Sequence, residues 1–143
     1  MDIAALVSWV VTALGGFVLL ARWISHGGLR QQQTGTTRFP APLVFGHFLL
    51  AVAGLVVWLA YLAADREALA WTSFIILVVV ALLGFTMFAR WVPAYRTAAP
   101  GSAGEETTPA ERHLAVPVVA AHGLLGAATL VLVLLAALGV GGS

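Results

Sequence analysis

The sequence predicts an all-α membrane protein: a four-transmembrane-helix bundle with up-down-up-down topology, made of two parallel-repeated helical hairpins. Three observations predict this fold class: a very apolar composition, four apolar segments of membrane-spanning length, and a pattern of rare residues that occurs twice. Of the 143 residues, 61% are hydrophobic and 9% are charged, whereas a soluble globular domain is about 45–50% apolar and about 25% charged. The whole chain, residues 1–143, is therefore expected to form a single membrane domain.

The charge and the cysteine content exclude several classes of function. The formal net charge is +1, so the chain offers no basic stripe for phosphate contacts, and no nucleic-acid partner is expected. The chain contains no cysteine, which excludes disulfides, thiolate metal sites, iron–sulfur clusters and thioether-linked haem. The expected surroundings of this multi-pass chain are the lipid bilayer of a bacterial inner membrane.

Four segments reach the roughly 20 apolar residues that a transmembrane helix needs, and residues typical of turns separate them. A glycine pair ends the first segment, two prolines open the second, and residues 65–67 turn the chain into the third, which Pro93 is expected to end. The loop at residues 97–108 is rich in Ala, Gly, Pro, Thr and Glu, and is expected to be flexible and cytoplasmic. The predicted spans are residues 3–25, 43–64, 68–91 and 114–138.

The arginines assign an orientation to these spans. Arg66 lies in the short turn between the second and third spans, whereas the other six arginines lie near the first and third loops. The positive-inside rule then places both long loops in the cytoplasm and both termini outside the cell. The six arginines are Arg22, Arg30, Arg38, Arg90, Arg96 and Arg112.

Rare residues recur at constant offsets, which indicates an internal duplication. In the second and fourth spans, a proline is followed five residues later by His47 and by His122 (122 − 47 = 75). In the first and third spans, a Gly-Phe pair and an Ala-Arg-Trp sequence begin at Gly16 and recur from Gly84 (84 − 16 = 68). The repeated unit is predicted to be a helical hairpin. Parallel repeats of this kind are related by a pseudo-two-fold axis along the membrane normal.

The duplication separates His47 and His122 from the other histidines, His26 and His113. The unmatched pair lies at predicted helix ends near the headgroups, and the sequence assigns it no role. His47 and His122 lie at similar depth, and the two-fold axis sets them facing each other across the bundle. Because helices pack about 8–10 Å apart, the diagonal axes are expected to be about 11–14 Å apart. That gap leaves space for one planar macrocycle with iron at its centre.

Small residues and arginines accompany the predicted histidine pair. The positions four and seven residues after each histidine share its helix face, and their small side chains make room for a porphyrin or let helices approach closely. Arg22 and Arg90 form a second symmetric pair. Arginine suits bidentate binding of the two haem propionates, although an arginine at a span end is also the usual interfacial anchor. The small residues predicted to contact the cofactor are Ala51, Gly54, Gly126 and Thr129.

The histidine pair allows other interpretations. The imidazoles would serve without haem as interhelical hydrogen-bonding groups or as contacts for a quinone. The two histidines would also bind a copper or zinc ion, but two nitrogen ligands alone make a weak metal site. A proton path would need an acidic residue inside the membrane, and every acidic residue lies at a loop or a terminus. Haem b, with His47 and His122 as axial ligands of the metal, is the leading interpretation.

A four-helix membrane bundle with paired histidines resembles the small b-type cytochromes, namely the cytochrome b561 group and the haem-bearing membrane anchors of succinate dehydrogenases. The resemblance rests on His47, His122 and the number of spans, and it implies electron transport with a quinone or a redox partner protein. The cytochrome b561 group carries two haems, one toward each membrane face. Here the external half of the bundle has no histidine, so a single haem near the cytoplasmic face is expected.

Two functions from different classes are therefore carried forward. The first is a membrane-embedded electron carrier with one bis-histidine haem b, whose iron has no open site for O₂ activation or substrate oxidation. The second is a non-catalytic membrane subunit or scaffold of a larger respiratory or transport complex. The sequence does not show whether the chain is a component of a quinol or ferric reductase. It also does not identify the redox partner or the oligomeric state, including whether the chain forms a homo-oligomer.

Overall fold

The computed structural model describes residues 1–96 and 108–140, and within these residues all regular structure is helical. The predicted loop at residues 97–108 lies outside the described residues, apart from Thr108. Four helices are long and apolar enough to cross a membrane, which confirms the prediction of an all-α chain with four helices of membrane-spanning length. These helices are α1 (Asp2–Ser25), α3 (Ala41–Ala64), α4 (Glu67–Arg96) and α5 (Val116–Ala137), and two shorter helices precede α3 and α5: α2 (Gln31–Thr34) and a 3-10 helix (Ala110–His113).

Prolines and one left-handed residue set several helix boundaries. Both α3 and α5 carry a proline in their first turn, where the missing N–H has no intrahelical partner to lose. Asp65 ends α3 in the left-handed conformation, with φ 49°, and its backbone N–H donates to the Tyr61 carbonyl oxygen at 2.8 Å. The chain therefore reverses within two residues and enters α4 at Glu67.

The structure differs from the prediction at Pro93, which lies inside α4 and does not end it. A proline removes one intrahelical hydrogen bond and crowds the preceding turn. Trp91 and Ala94, on either side of it, are buried in the bundle. We infer that burial of these two side chains holds the last turn of α4 in the helix, so that it runs on to Arg96.

The long helices form a bundle with two buried clusters. The largest helix–helix contacts are those of α3 with α4 and of α1 with α5, and α4 also packs against α5. The turn-side cluster lies toward the α3–α4 turn, and the loop-side cluster lies toward the long loops. Trp9, Trp58, Leu77, Val80 and Val133 are the main large side chains of the turn-side cluster. The loop-side cluster consists of Trp23, Phe39, Val44, Trp91, Ala110 and Leu114.

Large apolar side chains also cover the outside of the bundle. Leu124 is 73% exposed and Phe85 is 69% exposed, and many other leucines, valines and phenylalanines point outward in the same way. A soluble protein of this size does not present so much contiguous apolar surface. The outer surface therefore suits the acyl chains of a lipid bilayer.

A polar network joins the two long loops above the loop-side cluster. The Gln31 side chain donates to the Thr108 carbonyl oxygen at 2.9 Å and accepts from the Ala110 backbone N–H at 2.8 Å. Glu111 is fully buried, and its carboxylate accepts from the Thr37 hydroxyl at 2.7 Å and from the Arg38 backbone N–H at 2.6 Å. The described parts of the two loops thus pack together over one end of the bundle.

We expect Glu111→Ala to destabilise the folded chain by about 2–3 kcal/mol, because hydrogen bonds to a charged group are each worth about 1.5–3 kcal/mol. The substitution removes the buried carboxylate and leaves the Thr37 hydroxyl and the Arg38 backbone N–H, both part-buried, without this acceptor. Thermal unfolding in detergent, followed by circular dichroism, measures the effect. Glu67→Ala is the matched control, since Glu67 is exposed on the first turn of α4. Equal unfolding temperatures for the two variants would contradict this role of Glu111.

Candidate functional site

The structure brings His47 and His122 together inside the bundle, within the first two turns of α3 and of α5. His47 extends from α3 and His122 from α5, and each side chain is half-buried. Their ring centroids lie 6.2 Å apart, with an angle of 67° between the ring planes. The two matched histidines of the sequence are therefore spatial neighbours, although they are separated by 74 residues of chain.

Each imidazole is held by a backbone carbonyl of the neighbouring helix. Nδ1 of His47 lies 3.0 Å from the Val80 carbonyl oxygen, and Nδ1 of His122 lies 2.9 Å from the Thr12 carbonyl oxygen. Since a carbonyl oxygen only accepts, each Nδ1 carries the hydrogen and donates it. The other ring nitrogen, Nε2, then has its lone pair available, which is the usual state of a metal-binding histidine whose second nitrogen is fixed by a hydrogen bond.

Glycine at two positions leaves these two carbonyl oxygens accessible to the imidazoles. A Cβ atom added to Gly16 would lie 3.1 Å from Cε1 of His122, and one added to Gly84 would lie 3.1 Å from Cε1 of His47. A helical side chain covers the turn on the N-terminal side of its own Cα. Glycine at these positions therefore leaves the carbonyl oxygens one turn earlier, at Thr12 and Val80, open to the imidazoles.

The two histidine environments repeat with the offsets found in the sequence. Thr12 and Val80, whose carbonyl oxygens accept these hydrogen bonds, are 68 positions apart (80 − 12 = 68), as are Gly16 and Gly84. Each carbonyl lies four residues before its glycine. No side-chain pattern marks Thr12 or Val80, since both act through the backbone, and sequence reasoning missed them. The offset of 68 applied to the glycines is the signal that would have found them.

The four small residues predicted to make room for a porphyrin lie further toward the turn-side cluster. A Cβ atom on Gly54 would lie 3.1 Å from both Trp9 and Ile76, so protein side chains already fill that position. The Thr129 hydroxyl is buried; it lies 2.8 Å from the Ser8 hydroxyl and donates to the Leu125 carbonyl oxygen.

The remaining two small residues also contact protein. Ala51 packs against the turn-side cluster, and a Cβ atom on Gly126 would meet the Thr12 methyl group at 3.8 Å. All four residues thus serve helix packing in this structure. Their contact with a cofactor stays a prediction.

The two arginines of the predicted site point away from the bundle interior. Arg22 and Arg90 are exposed, and Nη1 of Arg90 donates to the Arg38 carbonyl oxygen at 3.1 Å. The neighbouring tryptophans point inward instead, with Trp23 only 2% and Trp91 only 7% exposed. The sequence could not decide between arginine and tryptophan, because adjacent helical residues point about 100° apart.

The other two histidines form a separate pair at the loop end of the bundle. The rings of His26 and His113 stack with centroids 4.2 Å apart and planes inclined by 12°. Nδ1 of His26 also donates to the Arg22 carbonyl oxygen at 2.8 Å. Sequence reasoning treated them as unrelated, since neither has a counterpart at the repeat offset.

The donor set at His47 and His122 limits what metal site these residues could form. Within residues 1–96 and 108–140, no three His, Cys, Asp or Glu side chains gather where they could hold a metal ion. Two nitrogen ligands alone bind a free divalent ion weakly, as zinc sites use three or four protein ligands. A metal between these histidines would therefore need further ligands from a cofactor, such as the four nitrogens of a porphyrin.

Comparisons with protein-family models, with curated proteins and with solved structures found no match for this chain. The resemblance to the small b-type cytochromes therefore rests on the histidine pair and the number of spans, and it stays a prediction.

Proposed function

We propose that this chain is a membrane-embedded b-type cytochrome that carries electrons through one haem b bound between His47 and His122. The observation that carries the proposal is the state of the two imidazoles. Each has its Nδ1 tied to a backbone carbonyl, and each retains Nε2 as a ligand nitrogen. Donation of the Nδ1 hydrogen to a carbonyl oxygen fixes the ring orientation and raises the basicity of Nε2.

The spacing of the rings is compatible with both imidazoles binding one metal. A metal–imidazole nitrogen bond is about 2 Å long and a ring nitrogen lies about 1 Å from the ring centre, so two imidazoles that hold one metal would have centroids about 6 Å apart. The observed separation is 6.2 Å. The glycines beside the rings also support the proposal. Each imidazole packs on the backbone of Gly16 or Gly84, and a Cβ atom at either glycine would press on the ring.

A haem bound here would supply a one-electron couple between ferric and ferrous iron. The chain's own residues would set how that couple behaves. His47 and His122 would hold the haem iron, and the carbonyl groups of Val80 and Thr12 hold the two imidazole rings in place. The turn-side and loop-side clusters exclude water from the two ends of the site. Axial ligands, hydrogen bonding and burial are the features by which a protein tunes such a cofactor.

We also propose that the bundle has up-down-up-down topology and arose by duplication of a helical hairpin. His47 of α3 contacts the Val80 carbonyl oxygen of α4, and Gly54, seven residues further along α3, accepts from Ser73, seven residues earlier in α4, so the two helices run antiparallel. The two histidine environments with their common offsets support the duplication. The arginine distribution supports an orientation with the long loops in the cytoplasm and both termini outside.

The proposed partners follow from a single haem held near one end of the bundle. The lipid bilayer would surround the four spans. A quinone or a redox partner protein would exchange electrons with the haem from the side of the long loops.

The alternative function is that of a non-catalytic membrane subunit or scaffold. Its support is that the histidine hydrogen bonds already join α3 to α4 and α5 to α1, and interhelical hydrogen bonds in membranes are worth about 0.6–2 kcal/mol. The ring separation of 6.2 Å also lies within the roughly 4.5–7 Å range of direct aromatic contacts. In this alternative the histidines are structural, and the function lies in a partner protein.

Expression of the chain alone tests the proposal against this alternative. Haem is supplied during expression, and the protein purified in detergent is assayed for haem b by pyridine haemochrome and for copper and zinc by elemental analysis. The cytochrome should contain about one haem b per chain without any partner. Colourless protein, with no haem uptake after purification, would support the scaffold instead.

A further inference from the structure

Two tryptophans of the loop-side cluster occupy matching positions relative to the histidine pair. Trp23 and Trp91 each follow, by seven residues, the glycine on which a histidine packs, Gly16 or Gly84. Seven residues make nearly two helical turns and span about 10 Å, so each indole shares its glycine's helix face. Both side chains are buried. The tryptophans therefore lie on the loop side of the histidines, on the same inward faces.

The two indoles differ in their hydrogen bonding. Nε1 of Trp23 donates to the Thr37 hydroxyl at 3.3 Å, and that hydroxyl in turn donates to Glu111. Nε1 of Trp91 is buried, and no acceptor among the described residues takes its hydrogen. An unsatisfied buried donor is costly in free energy and calls for an explanation, such as an acceptor that belongs to a bound molecule.

The repeat offset explains why the described residues supply no acceptor equivalent to Thr37. The residue 75 positions after Thr37 is Arg112. A threonine hydroxyl can accept a hydrogen bond, whereas a guanidinium group carries only donors. The 3-10 helix that contains Arg112 packs against both α1 and α4. The position that corresponds to Thr37 in the second half of the bundle therefore carries no side-chain acceptor.

We propose that the Trp91 indole N–H donates to a carboxylate of the bound cofactor, a haem propionate, and so orients the haem with its propionate edge toward the loop end. The assignment rests on the proposed function, since it needs haem between His47 and His122. It also differs from the sequence prediction, because the tryptophan and not the arginine of the repeated Ala-Arg-Trp sequence faces inward.

A second buried indole provides a matched control. Nε1 of Trp58 also has no acceptor among the described residues, but Trp58 belongs to the turn-side cluster. It follows His47 by eleven residues on α3, about 16 Å along the helix axis. Trp58→Phe therefore removes the same kind of group at a comparable burial, far from the proposed propionate edge.

The test follows haem transfer from the haem-loaded protein in detergent to excess apomyoglobin. Trp91→Phe should release haem about tenfold faster than wild type, as expected for loss of one hydrogen bond to a charged acceptor. Trp58→Phe should release haem at the wild-type rate. Wild-type protein loaded with haem dimethyl ester, whose propionates carry no charge, should release the ester faster than haem, and Trp91→Phe should then add little.

Each outcome of these haem-transfer measurements supports or overturns the proposed role of Trp91. A Trp91→Phe variant that releases haem at the wild-type rate overturns it, as does an equal acceleration with haem and with the dimethyl ester. If Trp91→Phe does not fold, equal release of haem and of the ester from wild type overturns it without the variant. A wild-type chain that takes up no haem defeats the proposed function as well, whereas a haem-loaded wild type with an unaffected variant defeats only the role of Trp91.

Discussion

Replacement of either central histidine by alanine should abolish haem retention. In His47→Ala or His122→Ala the iron would lose one of its two protein ligands, and the binding energy of the cofactor would fall with it. The pyridine haemochrome assay should then show less than a tenth of the wild-type haem per chain, since loss of an axial bond exceeds the 1.4 kcal/mol that corresponds to tenfold in binding. Absorption spectra of the purified variants provide an independent reading.

The stacked histidines at the loop end supply the control for this prediction. His26→Ala and His113→Ala remove an imidazole of the same size, but from a pair that lies apart from the central site. Both variants should keep the wild-type haem content. Full haem retention by His47→Ala or His122→Ala would contradict the assignment of the ligands, as would equal loss from all four variants.

Leucine at Gly16 or Gly84 should displace a histidine from its carbonyl partner. A Cβ atom alone would lie 3.1 Å from the ring at either position, and a leucine adds a branched group that occupies the same space. Overpacking of this kind costs about 1–3 kcal/mol, and the displaced ring also loses its hydrogen bond to Thr12 or Val80. We expect at least a tenfold loss of haem affinity, measured by titration of the purified protein with haemin.

Gly123→Leu is the matched control for the glycine substitutions. Gly123 is exposed, it directly follows His122, and a Cβ atom there has no neighbour within 4 Å. The control should therefore bind haem as wild type does. Unchanged affinity in both Gly16→Leu and Gly84→Leu would show that the ring positions do not depend on these glycines.

The sequence was sufficient to predict the spans and the central histidine pair. Long apolar segments in a chain with few charges have few other structures open to them, because every backbone polar group in lipid must be satisfied within a helix or a barrel. Histidine is rare in such segments, so two histidines at a common offset stood out. Their proximity, 6.2 Å between ring centroids, did not depend on details of loop structure.

Other features could not be predicted because they depend on packing. The inward direction of Trp23 and Trp91 depends on small rotations of α1 and α4 about their axes, which apolar patterning does not fix in a helix that is apolar all round. Trp9 fills the space beside Gly54. This packing departs from the repeat symmetry, because the residue 68 positions after Trp9 is Leu77 and not a tryptophan. The stacking of His26 on His113 joins two loops that the sequence left unrelated.

The reduced-minus-oxidised absorption spectrum of the purified chain tests the central claim most directly. Protein in detergent is oxidised in air and then reduced with dithionite. Bis-histidine ligation by His47 and His122 predicts a sharp α band typical of low-spin b-type haem, which would establish cofactor class, ligation and redox activity together. A featureless difference spectrum that persists after haem has been supplied during expression would contradict the claim and leave the two histidines as structural links between helices.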